Sequence, residues 1–275
     1  MNKRKVIIGL LIFICFTLVL IIIHINKGKS ISNMTYTPVI IIPTFSPISG
    51  SDSRYPWHTD IVATTFWVGE IFNPDVPDGS QTISTYDDRW LEHYGGCDGV
   101  TKDTSCETEV RIPDNNYFPT QIIPKENPFY LDIPYDDIHD PIGFSMREKV
   151  IPWSTDEPYR LFQGDSTFSY MKNRWVEIYN PLTNKTCFGQ IEDAGPSSGN
   201  EYHDAEYVFG SKDSRPKNML FNNAGMDVSP ALNACLVFTS LNGNDDRINW
   251  RFVEYNDVPS GAWKILVTNS PVFEN

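Results

Sequence analysis

Two aspartates, far apart in the chain, stand where a carboxylate could be held at the rim of a sheet. Asp193 ends an alternating run and is followed by Ala194-Gly195-Pro196, which forces the chain to turn. Asp227 comes just before Ser229-Pro230, a helix entry with Ser at the N-cap and Pro in the first turn. Glycosidic cleavage needs an acid to protonate the leaving oxygen, and hydrolysis usually adds a second carboxylate as base or nucleophile. Such pairs work because their surroundings drive their pKa values apart. The residues alone fit a plainer role equally well: Asp ahead of Gly-Pro forms turns, and Asp ahead of a helix supports its N-terminus. Glu70 ends the β-branched, aromatic run 61–70 as a further carboxylate whose catalytic role, in place of an acid at Val68, would come only with a family resemblance, since an exposed strand Glu is commonplace. Glu192, beside Asp193, is expected on the opposite, solvated face.

Aromatic side chains could supply flat surfaces for sugar rings, with Trp67, Trp153 and Trp175 the candidates for substrate binding. At strand spacing a core position is their simpler role. Asp136-Asp137-His139-Asp140 reads as a solvated loop, because its spacing lacks the regularity of an oxygen-rich calcium loop. No metal or cofactor is called for.

These residues must be positioned by short β-type runs separated by turns, and the reading is predominantly β with little helix. Ile61 to Glu70 is β-branched and aromatic. Pro128 to Pro134 is another short strand. The clearest hairpin is Trp175 to Tyr179, a turn over Asn180 to Lys185, then Thr186 to Glu192, with apolar residues alternating at period two. A short helix is expected near Asp87 to Tyr94 and another from Ser229. Trp250 to Val253 and Trp263 to Val267 read as closing strands. Residues 73–128 are loop-rich.

Val6 to Ile23 carries no charge, follows Lys3-Arg4-Lys5, and would span roughly 27 Å as a helix, close to the thickness of a bilayer core. It is too long for an ordinary signal-peptide core, so residues 1–25 read as an uncleaved signal anchor; cleavage would give a secreted protein instead. Residues 26–58, rich in Ser, Thr and Pro, read as a tether, and 59–275 as an extracytoplasmic domain at the cell membrane. Four cysteines beyond Cys15 agree with an oxidising compartment. Cys97 with Cys106 and Cys187 with Cys235 are the natural pairs, although four cysteines allow three connectivities. The formal net charge is −13, and five basic residues with no acid lie in residues 1–29. The remainder has 17 basic against 35 acidic residues, a net of −18, which repels phosphate backbones and makes nucleic acid a poor partner.

Three ordered stretches resemble the double-psi β-barrel superfamily, which includes expansins, rare lipoprotein A-type and membrane-bound lytic transglycosylases, and family-45 endoglucanases. They are Ala63-Thr-Thr-Phe-Trp-Val-Gly69, the hairpin running into Glu192-Asp-Ala-Gly-Pro196, and Gly225-Met-Asp-Val-Ser-Pro-Ala-Leu232. The likeness is strongest over about residues 165–255. It implies a six-stranded double-psi β-barrel in which 73–160 is a large insertion, with Asp193 and Asp227 lining one groove. It further implies a cell-surface protein that binds or cleaves a polysaccharide such as peptidoglycan or a β-glucan. The alternative is a non-catalytic, expansin-like wall-loosening module. This chain has Val68 where the endoglucanases carry an Asp, and Gly225 where expansins carry a His.

Overall fold

A computed structural model of the chain describes residues 54–75, 79–199 and 201–272. The expected anchor and nearly all of the expected tether lie outside these residues. Among the described residues, no helix is long and apolar enough to cross a membrane. The packed domain begins before residue 59. Tyr55 is buried, sets its ring edge-on against Trp153 and Phe252, and donates its hydroxyl to Glu254.

Six strands form a closed, mixed β-barrel: β1 (His58–Thr65), β4 (Tyr130–Ile133), β5 (Trp175–Asn180), β6 (Lys185–Ala194), β7 (Met226–Val228) and β8 (Asp246–Phe252). Around the barrel they run β1-β7-β4-β6-β5-β8, and β8 pairs back onto β1. Two pairs are parallel, β1 with β7 and β4 with β6; the other four are antiparallel. Period-two alternation appears where the sequence shows it. In β5, Val176 and Ile178 are fully buried while Glu177 and Tyr179 are half-exposed; in β8, Ile248, Trp250 and Phe252 are buried. Removing each such side chain from water contributes about 1.5–3 kcal/mol.

Outside the barrel, β2 (Val100–Lys102) and β3 (Ser105–Glu107) form a two-stranded sheet, clamped by the Cys97–Cys106 disulfide. The helices are short: α1 (Trp90–Tyr94), α2 (Pro141–Val150), α3 (Ala205–Phe209) and α4 (Pro230–Leu236). In α4 the Ser229 hydroxyl accepts the Leu232 N–H and Pro230 occupies the first turn, as the sequence predicts. A second disulfide, Cys187–Cys235, fixes α4 to β6. Two disulfides fit an oxidising compartment.

Several expectations are corrected. Residues 73–160 are not one insertion, because β4 lies within them and is a barrel strand between β6 and β7. The first strand stops at Thr65; residues 67–70 form a turn closed by the Glu70 N–H on the Trp67 carbonyl. The predicted strand at 263–267 is instead a short 3-10 turn over Ala262–Lys264. A closed barrel offers no edge for another strand to join, and Lys264 bonds the nearby carbonyls of Tyr255 and Val258.

Glu192 is buried rather than solvated, 3% exposed. In the 136–140 loop, Asp136 and Asp137 are buried rather than solvated, while His139 is exposed. Asp136 accepts three backbone N–H groups, from Ile138, His139 and Asp140. Asp137 accepts from the Ser169 hydroxyl and the Tyr170 N–H. Asp140 caps α2.

Candidate active site

The middle of the barrel wall places four polar side chains in one row. Thr64 on β1 is the register partner of Asp227 on β7, Asp227 that of Asp132 on β4, and Asp132 that of Asp193 on β6. Register partners on neighbouring strands point to the same face. The two aspartates singled out in the sequence therefore flank a third, Asp132, and stand two strands apart, about 10 Å between Cα atoms.

A bulge makes this register. Leu131 pairs with Ile191, but the next pair is Asp132 with Asp193, which leaves Glu192 as the extra residue of β6. Without that shift Glu192 would face Asp132. Bulges re-aim side chains in this way.

Backbone groups hold the Asp193 and Asp132 carboxyls, and a side-chain hydroxyl holds that of Asp227. The Asp193 Oδ1 accepts the N–H of Thr85 at 2.7 Å and that of Ala194 at 2.8 Å. Thr85 belongs to a tight turn in which Ser84 and Asp87 exchange backbone hydrogen bonds, so a loop of the 73–90 region reaches the barrel wall at this point. The Asp132 Oδ1 accepts the Asp227 N–H at 2.9 Å. Gly195 is needed beside it, since a Cβ there would stand 2.7 Å from the Asp132 Oδ2. The Thr64 hydroxyl donates to Asp227. Glu70 follows the 67–70 turn, which Gln81 ties down through paired backbone hydrogen bonds with Gly69 and Glu70.

Among the described residues, no cation pairs with these four carboxyls. Burial is the first cause lifting each above its ordinary range, and for the three aspartates neighbouring carboxylates add to it. Asp227 is raised to about 8 by burial, then by Glu70 and Asp193. Asp132 is raised well above the usual carboxylate value by burial, then by Asp227 and Asp193. Asp193 is raised to about 6 by burial, against the opposing pull of the Thr85 and Ala194 hydrogen bonds. Glu70 is raised to about 7 by burial, with a Trp67 backbone hydrogen bond acting the other way. At neutral pH the row thus holds proton-bearing and ionised carboxyls side by side, which is the condition for acid–base work.

No protein-family model, curated protein or solved structure matches the chain. The reading of the site therefore rests on its geometry.

Asp132 is the residue that sequence reasoning passed over. Its signal was present in Tyr130-Leu-Asp-Ile133, a charged residue inside an apolar strand. The aromatic candidates sit in the interior. Trp67 is 8% exposed and donates its indole N–H to the Cys106 carbonyl. Trp153 is fully buried, with its N–H on the Tyr170 carbonyl. Trp175 is 5% exposed. Exposed apolar residues beside the row are Ile71 and Phe72, which follow Glu70 directly.

Proposed function

We propose that the domain is a double-psi β-barrel of the cell surface that cleaves an envelope or extracellular polysaccharide. Its tether to the membrane would be the apolar segment at residues 6–23. The observation that carries this reading is the in-register row Asp227–Asp132–Asp193, in which Asp132 and Asp193 are buried, Asp227 is half-buried, and among the described residues no cation pairs with any of the three. Asp227, protonated near neutral pH, is the general acid that delivers its proton to the glycosidic oxygen. Asp193, the most acidic of the row, is ionised at neutral pH and serves as base or stabiliser of positive charge developing on the sugar. Asp132 keeps the two in place: it binds the Asp227 N–H and is itself kept neutral between two acids. Glu70 raises Asp227 further and holds it in the acid form. The Cα spacing of Asp193 and Asp227, about 10 Å, suits an inverting pair with carboxyls about 6.5–9.5 Å apart better than a retaining pair at about 5 Å. The order of the three motifs along the chain supports the same reading.

The test is to incubate the full chain in detergent with peptidoglycan, cellulose and mixed β-glucans, and to look for new reducing ends or anhydro-sugar products. Products that appear with the native chain and vanish with Asp227→Asn support the proposal; no product on any polymer rejects it.

One observation favours a non-catalytic, expansin-like module: Val68, at the position of the endoglucanase acid, is fully buried and apolar. That reading expects polysaccharide pull-down that survives both Asp193→Asn and Asp227→Asn without any cleavage.

A further inference from the structure

A cavity of about 440 Å³ opens on a different part of the barrel, where the start of β5, the end of β8 and residues 267–269 meet. Neither the three aspartates of the row nor Glu70 lines it. Its volume falls within the range of small-ligand sites. Its walls include Arg174, Trp175, Gln190, Glu254, Tyr255 and Asn269.

The charges and hydrogen bonds of this cavity limit what it can take. Arg174 is met by Glu254 at 2.6 Å, so the wall carries a matched pair and no unbalanced charge. An uncharged ligand fits such a surface better than an ion. The floor is rigid: the Gln190 amide is bonded to the Asn127 amide, to both backbone groups of Thr268 and to the Asn173 carbonyl. Tyr255 is the deciding residue. It is 54% exposed, yet its ring is held, with the Lys264 ammonium 4.3 Å from the centroid and the Trp175 ring 6.2 Å away. The core does not require an exposed ring at this position. An exposed ring already fixed in place loses little freedom when a ligand stacks on it, and its flat apolar face matches the face of a sugar ring.

We propose that this cavity is an accessory site for an uncharged pyranose unit, stacked on Tyr255 and hydrogen-bonded at the rim by Glu254 and Asn269. The choice of a polysaccharide unit rests on the function proposed above. Gln190 in the cavity and Asp193 in the row lie three residues apart on β6, about 10 Å, so one polymer chain is long enough to engage both.

The experiment titrates the full chain carrying Asp227→Asn with cellohexaose and with the hexamer of N-acetylglucosamine. At least one sugar binds, Tyr255→Ala and Asn269→Ala each weaken it about tenfold or more, and Leu182→Ala, in the exposed turn between β5 and β6, leaves it unchanged. Equal affinity in both cavity variants, binding of neither sugar, or tighter binding of an uncharged hexapeptide overturns the proposal. Failure here is separable from failure of the enzymatic reading. Cleavage that ignores both cavity variants rejects only the accessory site, whereas binding that needs Tyr255 without any cleavage rejects only the enzyme.

Discussion

Two regions of this domain bury aspartate, and they do so in opposite ways. Asp98, in the excursion next to the Cys97–Cys106 disulfide, is fully buried against the equally buried Arg111 at 2.9 Å. The Tyr94 and Tyr130 hydroxyls complete its shell at 2.5 and 2.7 Å. Every charge there has a partner, and the group reads as a structural clamp. The barrel row of Asp132, Asp193 and Asp227 has backbone N–H groups, one hydroxyl and no cation. Burying acids without a counter-charge costs stability, and folds keep that cost mainly where the acids have work to do. The contrast teaches that partnering tells a structural acid from a candidate catalytic one where burial alone does not.

The sharpest way to break the contrast is to neutralise one acid of the row. Asp227→Asn should lower cleavage by about 10²–10⁴-fold, the usual worth of a positioned general acid, measured as initial rate of product release. The same change should leave the fold intact. On the other side, Arg111→Ala strands a buried carboxylate and should cost about 3–5 kcal/mol in denaturant unfolding. A loss below about 1 kcal/mol would mean that the clamp is no clamp.

A third measurement uses pH. The row's acids are held above their ordinary values, so from about pH 4 the folded state binds more protons than the unfolded chain. Stability must then fall as pH rises, through about 6 for Asp193 and about 8 for Asp227. Unfolding midpoints should be higher at pH 5 than at pH 8.5. Asp227→Asn should recover about 1–3 kcal/mol at pH 8.5 and nothing at pH 4. The neighbours that take part in this titration are Glu70, Asp132, Asp193 and Asp136. The smallest effect on cleavage is expected from Cys97→Ala with Cys106→Ala. Opening so short a loop should cost about 2–3 kcal/mol of stability and lower the rate of cleavage only a few-fold, because Cys106 touches the 67–70 turn that carries Glu70 but none of the three aspartates.

Much of the barrel wall was legible because it is local. The 175–192 hairpin shows its alternation and its Asn-Pro turn, and α4 shows its Ser-Pro entry. Asp193 and Asp227 stood out because each sits next to an unmistakable chain-reversal or helix signal. Asp132 did not, since β4 pairs with strands tens of residues away in sequence, and non-local pairing leaves no periodic mark on a four-residue segment. The 263–267 run has strand-like composition, yet a sheet already closed on itself has no place for it. The buried 136–140 carboxylates were misread because acidic loops are usually wet, and only tertiary contacts show α2 and the 168–170 stretch closing over them.

The bulge in β6 has a consequence for anyone who aligns other chains to this one. Placed against a sequence with a regular strand and no one-residue gap, Glu192 falls into the column that belongs to Asp193, and every later position of the strand is offset by one. A true counterpart of this row would then look as if it had lost its acid. Searches for distant kin should allow an indel at that single position.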